Sequence, residues 1–242
     1  MRRNNTAPAL SNSVKPDTAM KPKNFSSRRD GFNSLDLLVM LLAVAVVVMV
    51  GLAFLRSRQQ PMSKRINCAN NLKQIGLSYR IWASDSGDKP PPQVSANIGG
   101  TMELVASGLV FPHFAAMSNE LGTPKIIVCP EDTKRQWGTN FATLTDTNVS
   151  YFVVPEADES LPNLILSGDR NLTTNKVALK PGLFTLTTNR VVMGWTSQIH
   201  QDAGNIALAD GSVQQPSSRR LHEFATNSLA ATTNSTFRIA IP

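Results

Sequence analysis

Two cysteines, Cys68 and Cys129, and three histidines, His113, His200 and His222, are all the thiol and imidazole ligands in the chain. No two of the histidines lie at i, i+4, and neither an HExxH nor a paired CxxC occurs, so the spacing of a catalytic zinc site is missing. Neither cysteine has a nearby histidine or a glycine-rich turn that would make it a nucleophile, and no serine stands in an elbow motif. In an oxidising compartment Cys68 and Cys129 would join as a disulfide; the alternative is two separate buried thiols. His200 and Asp210-Gly211 are separated by nine residues. Either His200 belongs to a metal site or makes a polar contact with the hairpin around Asp210-Gly211, or it orders the loop in front of a structural hairpin. The charged neighbours Glu131-Asp132 and Asp169-Arg170 read as solvated loop charges or turn caps, and no residue is assigned a catalytic role.

A different chemistry, processing of the chain itself, is suggested further upstream. From Leu37 to Leu55 nineteen residues carry no charged or polar side chain. A helix of that length is about 28 Å long, close to the ~30 Å hydrocarbon core of a bilayer. This stretch is a membrane span. Just before it stand Gly31, Phe32 and Asp36, preceded by Arg28 and Arg29. In this arrangement the segment resembles the cleavage and methylation segment of type IV prepilins and type II secretion pseudopilins. The resemblance implies that a prepilin peptidase cuts after Gly31 and methylates Phe32. It also implies that Asp36, at the fifth mature position where the family carries Glu, meets the N-terminal amine of a neighbouring subunit in a fibre. A carboxylate at the edge of a hydrocarbon layer needs such a partner; a plainer role for Asp36 is to mark the start of a signal anchor and complement the helix dipole.

Four further stretches carry the resemblance into the rest of the chain. RINCANNLKQIGLSYRIWASDSGDKPP, from Arg65 on, is similar to the segment after the anchor in a large bacterial group of prepilin-like proteins. HQDAGNIALADGSVQ, from His200 on, is similar to that group's C-terminal motif, and CPED at 129–132 and SGDR at 167–170 accompany it. Some related pseudopilins hold a calcium ion through loop oxygens, but no EF-hand spacing occurs here.

The formal net charge of +7 invites a nucleic-acid reading until it is divided along the chain. Residues 1–31 carry +5, residues 32–80 carry +5, and everything from Ile81 on carries −3. The basic residues flank the span, and the remainder is mildly acidic, so no nucleic-acid partner is expected. The basic leader favours the cytoplasmic side. A secretory signal fits poorly, because Arg56-Ser57-Arg58 stands where a small-residue cleavage site should follow.

The elements that must carry these residues come in a simple order. Residues 1–27, rich in Asn, Ser, Pro and Lys, read as a disordered leader. Pro61 predicts a kink or break after the span. Ile66, Ala69, Leu72, Ile75, Tyr79 and Trp82 then recur at steps of three or four, an amphipathic helix ending at Ser84 to Gly87 and kept from returning by Pro90-Pro91-Pro92. Thr101 to Phe111 suggests a short helix. Strands are expected at Lys125–Val128, Val149–Val154, Leu164–Leu166 and Arg190–Trp195. Gly204–Gln214 reads as a hairpin with a type I′ turn at Asp210-Gly211, and Thr236–Ile241 as an edge strand.

The fold class expected is α+β, with the pilin-like order of a long helix packed on a small antiparallel sheet. The domains are a cleaved cytoplasmic leader over 1–31, a transmembrane helix over 32–55, its amphipathic continuation over 56–86, and an extracytoplasmic head over 87–242. The function expected is that of a structural subunit of a pilus-like or pseudopilus-like fibre in the cytoplasmic membrane, with prepilin peptidase and other pilin-like subunits as partners. A signal-anchored binding protein that never assembles is the alternative.

Overall fold

The computed structural model describes residue 31 and residues 33–187, 190–232 and 236–242, apart from the side chains of 56–62. The expected leader, except for Gly31, and Phe32 of the expected cleavage site lie outside the described residues. The chain divides into two compact units, Met1–Val50 and Gly51–Pro242.

Helix α1, Ser34–Ser84, begins in the first unit. Its start is capped from inside: the Asn33 carbonyl accepts the N–H groups of Asp36 and Leu37, and Asp36 Oδ2 accepts the Asn33 N–H at 3.2 Å. This is the return arm of a capping box, with a carboxylate placed where the helix dipole favours it. Ser34–Leu55, 22 residues, is long and apolar enough to cross a membrane, and none of it is buried.

The break expected at Pro61 is not found, since α1 continues through it to Ser84. One missing backbone donor costs roughly 3 kcal/mol, and the turns that follow are held by burial. Cys68, Ala69, Leu72, Ile75, Tyr79 and Trp82 all face the core. Ile66, expected on the same stripe, is half exposed. The helix ends in a Schellman motif: Asp88 N–H bonds back to Ala83 O at 2.9 Å, and Gly87 takes the left-handed conformation that the reversal needs.

Two antiparallel sheets make the fold of this unit α+β. The strands are β1 Tyr151–Val153, β2 Ile165–Asp169, β3 Leu172–Thr174, β4 Val177–Ala178, β5 Gly182–Leu186, β6 Met193–Trp195, β7 Ile206–Leu208, β8 Val213–Gln214 and β9 Phe237–Ile241. The larger sheet runs β5-β9-β1-β2-β7-β8 and the smaller β4-β3-β6. Every residue of β1, β2, β6 and β7 is buried, which is why β1 and β7 read as short apolar runs and not as alternation. Helix α4, Ser218–Ala231, packs against β6, β2 and β9, and its Ser228 hydroxyl accepts the Ile165 N–H at 3.1 Å.

Several expectations need correction. Lys125–Val128 is not a strand: Pro124–Ile127 is a 3-10 turn, started by the fixed φ of Pro124 and by Thr123, whose hydroxyl accepts the Lys125 N–H. Thr101–Phe111 holds a 3-10 segment, Met102–Ser107, with the short helices α2, Phe111–Ala116, and α3, Ser118–Leu121, following it. The last strand, β9, is interior, paired with β5 and β1 on its two sides. The hairpin at Asp210-Gly211 exists, but the turn is not type I′. Only Gly211 has positive φ, at +84°, and its N–H bonds to Leu208 O at 2.9 Å, so Ala209 and Asp210 are the central pair and Gly211 forms the bulge that follows. The type I′ pair lies instead at Asn175-Lys176, both at positive φ between β3 and β4.

Leu72 is fully buried and shares one core with the strands of both sheets. Leu72→Ala is expected to lower unfolding stability by about 2–5 kcal/mol, read as a fall in the urea midpoint with unchanged slope.

Candidate functional site

Polar residues of the four motif stretches converge beside the disulfide. Cys68, on α1, is bonded to Cys129, which directly follows the 3-10 turn. This decides between the two thiol arrangements expected from sequence. Asp169 ends β2 with its side chain fully buried. Asn205, at the entry to β7, answers it twice: its N–H and its side-chain amide donate to Asp169 Oδ2 at 2.7 and 2.8 Å, and its carbonyl accepts the Asp169 N–H at 2.9 Å. Gly168 permits this approach, because a Cβ there would stand 2.7 Å from Asn205 O.

Holding Asn205 in that place forces the preceding loop to double back. His200, Gln201 and Asp202 all have positive φ, an unfavourable conformation for residues with a Cβ. Asn171 steadies the loop by donating its side-chain amide to the carbonyls of Thr196, Ile199 and Ala203 at 2.9–3.1 Å. Gly204 lies so close to the Trp195 ring that a Cβ would meet it at 2.6 Å. The Nη2 of Arg65, from α1, donates to Gly204 O at 3.2 Å.

The result places the His200 ring between two carboxylates. Nδ1 lies 2.8 Å from Glu131 Oε2, and Nε2 lies 3.4 Å from Asp169 Oδ2, 3.4 Å from Cys129 Sγ and 3.3 Å from Asn205 Nδ2. With Nδ1–H donating to Glu131, Nε2 is left to accept from Asn205. Burial favours that neutral ring by pushing the His200 pKa down, against the pull of Glu131, and the same burial raises Asp169 to about 7. Glu131, with a side chain 19% exposed, is the member of the cluster that reaches solvent.

Each expected site residue can now be placed. Asp169-Arg170 and Glu131-Asp132 are not solvated loop charges: Arg170 grips Asp132 with two bonds, at 2.7 and 2.8 Å, and both side chains are largely buried. His200 reaches the expected hairpin stretch through Asn205, with Nε2 3.3 Å from its Nδ2, and not through the Asp210-Gly211 turn. Asp210 instead accepts the Ser212 N–H at 2.8 Å, and Gly211 faces α1, its Cα 3.7 Å from where a Cβ on Gly76 would stand. His113 is buried in α2 with Nδ1 2.6 Å from Thr101 Oγ1, and His222 on α4 accepts the Met193 N–H through Nδ1. The three histidines therefore do not form a site together. Gly31 is exposed ahead of α1, and Asp36 lies on the first turn. Asn205, Asn171 and Arg65 were missed as partners of the motif residues; the only signal was their place inside or beside the matched stretches.

Among the described residues, the side chains that converge with the geometry of a metal site are Cys68, Cys129 and His200, their ligand atoms all within 4.8 Å of one another. Calcium is not supported, because it takes about six to eight oxygen ligands and this set offers sulphur and nitrogen. An open groove of about 810 Å³, lined among others by Lys89, Gln93, Glu156, Asp158 and Arg238, lies apart from these residues. Comparison with protein-family models, curated proteins and solved structures gives no match.

Two measurable consequences follow from this geometry. The disulfide spans a sequence separation of 61 residues, and Cys68→Ser with Cys129→Ser is expected to cost about 2–5 kcal/mol in denaturant unfolding. Burial lowers His113 from 6.5 to about 4, so the folded state prefers the neutral ring. Its contribution is complete above pH 6.5 and is lost as pH falls toward 4, by about 3 kcal/mol in all. His113→Leu is expected to flatten that part of the stability–pH curve between pH 7 and 4; an unchanged slope would show that the ring is not the group responsible.

Proposed function

We propose that the chain is a prepilin-like subunit of a type IV pilus-like or type II secretion pseudopilus-like fibre. It is a structural protein and the substrate of a prepilin peptidase, not an agent of catalysis. The observation that carries this reading is the order Gly31, Phe32, Asp36 at the start of an apolar helix, Ser34–Leu55, none of which is buried. The pilin-like assignment draws support from the continuation of that helix. Its second half shares one core with an antiparallel sheet, as a pilin head requires.

On this reading the basic leader lies in the cytoplasm, the apolar helix anchors the chain in the cytoplasmic membrane, and the head lies outside. The disulfide suits an oxidising compartment on that side. After cleavage the apolar helix would leave the bilayer and bury its surface against the helices of neighbouring subunits. The mildly acidic head gives no reason to invoke nucleic acid.

One observation favours the signal-anchored alternative. Asp36 Oδ2 accepts the Asn33 N–H at 3.2 Å, so the carboxylate already has a local use as a cap. A shorter side chain than Glu, engaged in this way, is less free to reach a neighbour's amine.

The two readings part at the N-terminus of the protein recovered from membranes, read by mass spectrometry of its first peptide. The proposed function predicts a chain beginning at methylated Phe32, and retention of residues 1–31 when Gly31 is replaced by a bulky residue. Normal processing of that variant would sink the prepilin reading. An intact leader on the native chain, in cells with an active prepilin peptidase, would move the function to the head.

A further inference from the structure

We propose that the site at Cys68 and Cys129 has a second, mutually exclusive state: once reduced, it binds a thiophilic divalent cation of the zinc class through Cys68, Cys129, His200 and Asp169. Three donors are already gathered, and Asp169 stands beside His200. Cys129 Sγ lies 3.4 Å from His200 Nε2, and Cys68 Sγ belongs to the same group within 4.8 Å. The edge between a sulphur and a nitrogen bound to one tetrahedral zinc is about 3.5 Å, given bonds of about 2.3 and 2.0 Å. Asp169 offers the fourth donor. Its Oδ2 is 3.4 Å from His200 Nε2, close to the ~3.3 Å nitrogen–oxygen edge of such a site, and its Oδ1 is buried without a hydrogen-bond partner. To close the site the two sulphurs must separate and come within reach of the Asp169 carboxylate, which lies outside the group within 4.8 Å.

The surroundings are built as they are around metal-bound histidines. Glu131 Oε2 holds His200 Nδ1 at 2.8 Å, which leaves Nε2 as the lone-pair nitrogen facing the sulphurs. A carboxylate behind a ligating imidazole fixes its tautomer and raises its basicity. Asn205 fixes the Asp169 carboxylate through two bonds, and Asn171 fixes the loop that carries His200. Two thiolates, a carboxylate and a divalent cation sum to one negative charge, and the field of the Arg65 guanidinium acts on both Asp169 and His200. While the disulfide stands, neither sulphur is a thiolate and the cation has no site. Reduction by a dithiol or a phosphine adds two electrons and two protons to the disulfide, giving two thiols. Cation binding then expels both protons, so the two states exchange through one redox step and one metal exchange.

The test uses the full chain in detergent micelles. One sample is left as purified. The other is reduced with a water-soluble phosphine, which becomes the phosphine oxide, and is then freed of reagent without air. Both are titrated with Co²⁺ and then Zn²⁺. The reduced chain is expected to bind one equivalent of cobalt, with thiolate charge-transfer and intense tetrahedral visible bands that zinc bleaches, and the oxidised chain to show none. His200→Ala is expected to abolish the bands. Glu131→Gln, which removes no ligand, is expected to weaken cobalt binding by about 10–100-fold. The proposal is overturned if two titratable thiols are present without tetrahedral bands, if the oxidised chain gives the same bands, or if Glu131→Gln and His200→Ala both leave them unchanged. Should reduction unfold the chain, recovery of the far-ultraviolet helix signal with one equivalent of zinc supports the site, and failure to recover overturns it.

Discussion

A carboxylate buried at the end of β2 is the constraint on which the rest of the head's polar structure depends. An ionised side chain out of water costs several kcal/mol unless charge or hydrogen bonds answer it. Among the described residues Asp169 has no lysine or arginine at bonding distance; what it has is Asn205, with two donors on one oxygen. Bringing Asn205 there sets the path of the whole stretch from Thr196 to Gly204. The three successive left-handed residues, His200 to Asp202, each carry roughly 1–2 kcal/mol of backbone strain. The three bonds from Asn171 and the pair to Asp169 offset it. The position of the His200 ring against Glu131 and the disulfide is therefore a consequence of how Asp169 is satisfied.

Helix α1 obeys two different rules along one sequence. Over Ser34–Leu55 apolar residues occur all round and none is buried, the pattern of a segment whose solvent is lipid or other helices. Beyond Pro61 the apolar residues narrow to a stripe, and polar residues make specific bonds, exposed Arg80 to Glu159 and half-buried Asn71 to Val128 O. The disulfide fixes this second part at Cys68, and the closeness of Gly76 to Gly211 fixes it near the β7–β8 hairpin. The glycine of the Asp210-Gly211 pair thus serves both a backbone turn and a close approach, while His200 has its own partners elsewhere.

What sequence reading recovers here is what depends on local periodicity. The stripe from Ala69 to Trp82 and the apolar runs that became β1, β2 and β7 are local, strong patterns. Strand order is not local: nothing within Thr236–Ile241 distinguishes an edge from the interior place that β9 takes between β5 and β1. Lys125–Val128 has the composition of a strand, and only Thr123-Pro124 ahead of it hints at the turn actually formed. Helix α4 was hidden by its Ser, Thr and Asn content, although Leu221, Ala225, Ser228 and Leu229 keep a helical spacing and are buried. The site was half visible for the same reason. Its motif words mark Cys129, Asp169 and His200, but the pairing of Asp169 with Asn205, 36 residues on, is set by the register of β2 against β7.

The arrangement carboxylate–imidazole–carboxylate invites an acid–base reading, and its setting argues against one. A general base must come within hydrogen-bond reach of a substrate proton. The Nε2 of His200 accepts from Asn205 and faces Cys129 and Asp169, all buried, and the histidine's other nitrogen is committed to Glu131. Both pKa shifts point the same way: burial holds the imidazole neutral and drives the Asp169 carboxyl toward its protonated form, so the pair is poised to keep charge out of the interior. Such a cluster answers to what its own chain presents to it. The groups it meets are the disulfide sulphurs and a strained loop of the same chain.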